Sequence, residues 1–464
     1  MSFQSTSDNR FLTASPGRLF VTNALPTMLI MMMSGLLTLV DAAFLGHFVG
    51  ADALAAVSVV FPSIMITIAL STLVGGGMSS LLARHLGAGR QGDAADIFAQ
   101  AHGLALFLSA TLNVAFGLGG AVVTDALADG QPGIARMAHT YLEILIFATP
   151  IQMLLSVHAD TWRNEGRAGL MALMSVGVTV ANIALNYVLI VLLDMGVSGS
   201  AWGTAIAQAL GLALLLGLRA RGLGALTLSA LGASPWIGKW RAIFTLGAPV
   251  SLSFIGIALV STSVIAALRL TSAPDYVDSI AAYGIVTRIF SFTFMPLMAI
   301  ALATQSIVGN NVGAKRYQRS NAVLRLAVTV SVLYCAAIEL VLLTGADWIG
   351  RVFVWDPDVI AQVGDILRPM ATLYLFAGPV LVLALYFQAI GKPGRTAALT
   401  LIKPFLLSPL LITTLAMTYG ADTIWFAFPI ADGIVVVIAL WIVILSRSVG
   451  KDAPGFGLSG GAGV

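Results

Sequence analysis

Charge is scarce in this chain: lysine, arginine, aspartate and glutamate make up 10% of 464 residues, against 58% hydrophobic. Soluble domains carry about 25% charged residues. A chain of this length cannot hide so much apolar surface from water, so a water-soluble globule is excluded and lipid is its solvent. Cysteine is scarcer still. Cys335 stands alone inside an apolar run, which excludes an internal disulfide or a cysteine metal site and reads as a small buried hydrophobe. The five histidines show no HExxH or paired spacing, so no metal site is expected. There is no Walker-type phosphate loop, hence no ATP motor. No loop is long enough for a catalytic domain, so no enzyme is expected. The segment Met1 to Arg18 lacks the apolar core of a signal peptide, and the first helix is expected to stay in the protein. The formal charge of +3 is spread over short loops without the basic stripe that grips nucleic acid.

What the chain has in abundance is apolar runs long enough to cross a bilayer, about 20 residues each. They begin near Leu19, Ala53, Ala94, Ala138, Leu170, Val197, Ile243, Ile280, Ala322, Ile366, Ala397 and Thr423. The reading is an all-α polytopic membrane protein of about twelve helices. Lysine and arginine favour cytoplasmic loops. Arg10, Arg18, Arg84, Arg90, Arg163, Arg167, Arg219, Arg221, Lys239, Arg241, Lys315, Arg316, Arg319, Lys392, Arg395, Arg447 and Lys451 fall at the termini or in every second loop. The other loops hold only Arg136, Arg269 and Arg351. Both termini are therefore expected on the cytoplasmic side of the plasma (inner) membrane.

The chain also repeats itself, as secondary transporters do. His85-Leu86-Gly87-Ala88-Gly89 is echoed by Asn311-Val312-Gly313-Ala314-Lys315, and Leu54-Ala55-Ala56 by Ile280-Ala281-Ala282. Asn164 to Arg167 returns as Lys392 to Arg395, and Ala24-Leu25-Pro26 as Gly247-Ala248-Pro249. Two six-helix lobes follow, residues 1–220 and 242–464, joined by a cytoplasmic linker over 221–241. Because six is even, both lobes insert in the same sense, with a pseudo-twofold axis along the membrane normal.

An ionisable side chain inside the bilayer costs at least about 2.5 kcal/mol and marks a functional candidate. Asp41 is the sole charge between Leu19 and Phe44. Pro26, about four turns earlier, removes a backbone hydrogen bond and predicts a kink or hinge. The corresponding stretch of the second half, Val264 to Leu268, has no acid, so Asp41 is a site placed on one half of a symmetric scaffold. Asn182 and Asn186, spaced i, i+4, share one helix face, and Thr204 of the next helix can join them. Buried amides need partners, and a carboxylate is a good one. In the second half Asp432, Arg288 and Lys403 lie within apolar runs and form a second candidate site. Glu143, Arg368 and Glu339 lie near enough to helix ends to snorkel. Met28, Met31, Met32 and Met33 offer either plain packing or an adaptable contact surface.

The motifs Leu39-Val40-Asp41, Gly46-His47, Leu54-Ala55-Ala56-Val57, Leu86-Gly87-Ala88-Gly89 and Asn182-Ile183-Ala184-Leu185-Asn186 occur in this order. Gly199 to Thr204, Val308 to Ala314 and Gln388-Ala389-Ile390-Gly391-Lys392 follow. Together they make the chain resemble a multidrug and toxic compound extrusion (MATE) transporter over nearly its whole length. The resemblance implies a V-shaped pair of six-helix lobes with alternating access, exporting organic, often cationic, compounds by proton or sodium antiport. Asp41 matches the first-helix carboxylate that binds the coupling ion, including sodium where sodium is used, and Pro26 the proline about which that helix rearranges. Asn182, Asn186 and Thr204 match the polar groups around it. Asn186 stands where many relatives have aspartate. The runs Leu246 to Leu268 and Met370 to Ile390 contain no acid, unlike some sodium-coupled relatives, so a second-lobe ion site of that kind is not expected unless Asp432 substitutes for those acids.

The functional expectation is a secondary active multidrug exporter, with a flippase for lipid or lipid-linked precursors as the alternative and a non-transport membrane enzyme or sensor as the second. Its partners are cationic amphipathic small molecules and membrane lipids, without nucleic acid, and it is expected as a monomer with no cofactor besides the coupling proton or sodium ion.

Overall fold

The computed structural model describes residues 9–128, 131–271, 276–353 and 357–446, so Arg447 and Lys451 of the charge pattern lie outside the described residues. Among the described residues every regular element is helical. A short α1 (Arg10–Thr13), capped by the Asn9 side chain, precedes α2 (Pro16–Phe44), α3 (Ala51–Gly87), α4 (Gln91–Leu127), α5 (Pro132–Phe147) and α6 (Thr149–Asn164). There follow α7 (Ala168–Asn186), α8 (Gly196–Ala220), α9 (Ser229–Ala233), α10 (Trp240–Leu270), α11 (Tyr276–Gly313) and α12 (Tyr317–Phe353). The chain closes with α13 (Pro357–Ala371), α14 (Ala377–Ala389), α15 (Pro393–Ile402), α16 (Ser408–Tyr419) and α17 (Ala427–Leu445).

Among the described residues ten spans are long and apolar enough to cross a membrane, and the bent pairs α5–α6 and α13–α14, at 47° and 48°, bring the number to twelve if each is one span. Lipid offers no hydrogen bonds, so only structures that satisfy their own backbone can span it. Hydroxyls inside the spans obey the same demand: Thr111 donates to Phe107 O and Thr413 to Pro409 O, each at 2.8 Å. The outward faces are apolar, with Leu118 85% and Met417 77% exposed; that would be costly in water and is the expected state against acyl chains.

The chain divides into two compact units, residues 1–14 with 25–254, and residues 15–24 with 255–464. The division runs through α2, just before Pro26, and through α10 near Phe254, whereas the sequence places its linker at 221–241. In the first unit α3 packs against α4, α5 and α6, and α8 against α5, α6 and α7. Its core includes Leu73, Met78, Ile97, Phe98, Met153 and Val157, and extends to Leu226 and Ile243. The segment after α8 is thus held down rather than free. Arg219 is fully buried, donating to Glu165 Oε1 at 3.0 Å and to Leu226 O at 2.5 Å, with its guanidinium between the Phe98 and Trp162 rings. Lys239 N donates to Gln100 Oε1 at 2.8 Å. The first part of α10 then crosses α3 closely. A Cβ on Gly77 would strike Ile243 O, and one on Gly247 would strike Leu73 O, so both positions need glycine.

In the second unit α11 packs against α12, α13 and α14, around a core that includes Val264, Val286, Val363, Ile366, Leu367 and Ile412. Buried polar pairs replace apolar contact toward one end, as where Gln305 Nε2 donates to Gln388 Oε1 at 2.8 Å.

Candidate functional site

Asp41 lies on α2, one turn before the helix widens into a π-turn at Leu45–Val49. Asn186 ends α7 immediately before another π-turn, Tyr187–Leu192. Such widened turns frequently accompany functional sites because they re-aim side chains. The two helices bring residues far apart in sequence into contact. Asn186 Nδ2 donates to Asp41 Oδ1 at 2.5 Å and to Asn182 Oδ1 at 3.1 Å, and Asn182 Nδ2 donates to Thr204 Oγ1 at 3.2 Å. With the Asn182 amide turned over, its nitrogen donates to Asp41 Oδ1 at 3.1 Å and its oxygen accepts from Thr204 Oγ1 at 3.2 Å. Asn182 and Asn186 are fully buried, and Asp41 and Thr204 half-buried. The structure therefore brings together Asp41, Asn182, Asn186 and Thr204 in one hydrogen-bonded chain across α2, α7 and α8.

Two neighbours shape this site without having been legible in the sequence. Gly203, on α8 beside Thr204, leaves room for the Asn186 amide: a Cβ there would collide with Asn186 Oδ1, which has no hydrogen-bond partner. Tyr141 of α5, beside Ser200, interacts electrostatically with Asp41. A tyrosine in an apolar helix gave no signal apart from its hydroxyl. Carboxylate, amide and hydroxyl oxygens form a hard donor set, suited to a proton or a sodium ion alike. Among the described residues no group of three histidine, cysteine or acidic side chains could hold a metal.

Pro26 sits inside α2, half-buried. One turn before it the polar side chains turn back on the helix: Thr22 Oγ1 donates to Arg18 O at 2.8 Å and Asn23 Nδ2 to Leu19 O at 2.7 Å. In the second unit Lys403 opens a π-turn, Lys403–Leu407, and ion-pairs with Asp432 of α17. Arg288 of α11 is exposed and joins neither of them in an ion pair. The structure thus joins two of the three second-half candidates and leaves the third apart.

Further buried charges were read in the sequence only as loop residues or not singled out. Asp160 and Arg163 form an ion pair at 2.9 Å inside the first unit, and Glu165 pairs with Arg219. Their closeness to predicted helix ends concealed them. Glu339, read as a snorkelling side chain, instead accepts from backbone N–H groups of the α13–α14 break.

Membrane-spanning helices in two units, repeated in sequence and carrying a buried carboxylate–amide cluster, define a membrane transporter of the repeated-half kind. The chain belongs to the MatE family, whose model matches residues 26–188 and again 249–414; this family is one of transporters, not enzymes. The chain is 24% identical to the multidrug export protein MepA of Staphylococcus haemolyticus over 92% of both proteins. It is 23% identical to an FAD transporter of Shewanella oneidensis, over 91% of this chain and 93% of that protein. A solved outward-facing conformation of a multidrug resistance MATE family transporter of the MOP superfamily superposes with a TM-score of 0.85 at 21% identity, covering 94% of this chain and 98% of that one.

Proposed function

We propose that this chain is a secondary active exporter of small organic compounds, cationic and amphipathic, driven by antiport of a proton or sodium ion at Asp41. The observation that carries the reading is the Asp41–Asn186–Asn182–Thr204 chain of hydrogen bonds, within the first unit, on a helix that also carries Pro26. A hydrogen bond to an ionised group contributes about 1.5–3 kcal/mol. Loading Asp41 with a proton or a sodium ion changes the charge that Asn186 addresses, and so changes the balance between α2 and α7. Pro26 leaves the carbonyl of Thr22 without its usual partner and lets α2 respond by bending. The multidrug export protein among the relatives supports the substrate class. The alternation of lysine and arginine supports cytoplasmic termini in the plasma membrane.

A second reading, an anionic substrate, is favoured by the FAD transporter among the relatives and by the exposed Arg288 in the second unit. The two readings separate in proteoliposomes loaded with a cationic dye or with FAD, under an imposed pH or sodium gradient. The exporter reading expects gradient-driven loss of the dye and its abolition in Asp41→Asn. Unchanged dye efflux in Asp41→Asn would sink the coupling role.

A further inference from the structure

Among the described residues each unit contains one broken span, and a side chain from the preceding helix reaches each break. In the first unit the α5–α6 break at Ala148 is met by Asn113 of α4: its side-chain oxygen accepts from Thr149 Oγ1 at 3.3 Å, and with the amide turned over its nitrogen donates to Ile146 O at 2.6 Å and to Ser109 O at 3.1 Å. In the second, the α13–α14 break is met by Glu339 of α12: Leu373 N donates to one carboxylate oxygen at 3.3 Å and Leu375 N to the other at 2.6 Å. The two side chains are repeat partners, since Gln91 to Tyr317, the starts of α4 and α12, and Asn113 to Glu339 are each 226 apart. One half holds its break with a neutral amide, the other with an ionisable acid.

We propose that Glu339 is a positioning residue of the transport cycle: ionised, it holds the α13–α14 break, and taking up a proton it releases the break toward continuous helix. This rests on the exporter reading and adds a proton-responsive element to the half whose runs Leu246 to Leu268 and Met370 to Ile390 contain no acid. A carboxylate accepts two hydrogen bonds, one for each orphaned N–H, whereas the protonated acid turns one oxygen into a donor and drops one of them. The Leu375 N–H then has the carbonyl of Ala371, four residues earlier, as its helical partner. Leu373 is held at φ 72°, a left-handed conformation unfavourable for a side chain of its kind, and release relaxes it.

The surroundings leave the charge of Glu339 to this one task. Cys335 lies one turn earlier on α12 and interacts with it electrostatically. The hydroxyls of Tyr334 and Tyr374 both donate to Thr293 of α11, at 2.9 and 3.1 Å. From α17, Gly433 lies against Leu373, and its neighbour Asp432 is paired with Lys403. On α13, Arg368 pairs with Asp347. Among the described residues no lysine or arginine forms an ion pair with Glu339.

The test is amide hydrogen exchange of the 372–377 segment in full-length protein in nanodiscs, scanned over pH and corrected for intrinsic exchange. Dye antiport is measured over the same pH range for wild type, Glu339→Gln and Asp41→Asn. The expected result is protection at 372–377 that rises as pH is lowered in wild type and in Asp41→Asn but not in Glu339→Gln, whose antiport also loses one proton's worth of pH steepness with dye affinity unchanged. A Glu339→Gln protein with the wild-type pH dependence in both readouts would overturn the proposal. Should that variant not fold, pH-independent exchange at 372–377 in wild type overturns it equally. Efflux retained in Asp41→Asn refutes the coupling role of Asp41 and leaves the exchange result to judge Glu339 by itself.

Discussion

Replacing Gly203 by alanine perturbs the Asp41 cluster without touching any of its members. A Cβ at this position would lie 3.4 Å from Asn186 Cγ and collide with Asn186 Oδ1. The atom struck is the tip of a side chain, so the amide turns or withdraws while the helices stay in place. Alanine is the better helix former by about 0.8–1 kcal/mol, so the fold of α8 gains rather than loses. What is lost is the hydrogen bond of 2.5 Å from Asn186 to Asp41, about 1.5–3 kcal/mol for a bond to an ionised group. At 1.4 kcal/mol per tenfold, that is roughly a 10- to 150-fold effect on any step that depends on the bond. The assay is gradient-driven efflux of a cationic dye from proteoliposomes, with thermal stability measured alongside. Gly203→Ala is expected to match Asn186→Ala in lost efflux while melting no lower than wild type. If Gly203→Ala exports at the wild-type rate and Asn186→Ala does not, the glycine does not constrain the amide and the steric argument is wrong.

Two further predictions concern the scaffold. Arg219→Met leaves Glu165 buried without its partner, and breaking a fully buried pair costs about 3–5 kcal/mol; a lower melting temperature and faster proteolytic cleavage near Leu226 are expected, and an unchanged protease pattern would count against the docking of that segment. Lys403→Met strands the half-buried Asp432 and is expected to destabilise by about 1–3 kcal/mol, less than a fully buried pair because both groups retain some exposure. Lys403→Met combined with Asp432→Leu should recover most of that loss in the melting temperature, and a purely additive double variant would show the pair to be uncoupled.

How far the site was readable depends on the residue. Asp41 was visible because a lone acid in a lipid-length apolar run has no cheap explanation, and Asn182 with Asn186 because their spacing sets both on one helix face. Tyr141 and Gly203 were invisible: an aromatic and a glycine in an apolar helix are ordinary until a neighbouring helix shows what they face. Glu339 was misleading, since its distance from a helix end suggested snorkelling, whereas it binds the backbone of another broken span.

The sequence alone determined that the chain is a helical membrane protein with two related halves. Lipid admits only long apolar segments that satisfy their own backbone, and a duplicated segment keeps its spacing. It also determined that charge is distributed unequally between the halves, because Asp41 has no counterpart. The tertiary structure alone decided which groups meet: that Asn186 reaches Asp41 from another helix, that Lys403 neutralises Asp432, that Arg219 is buried, and that the two compact units divide inside α2 and α10 rather than at the linker. The physical reason is that periodicity fixes the face of a helix on which a residue lies, while the rotation and crossing of neighbouring helices fix what that face opposes.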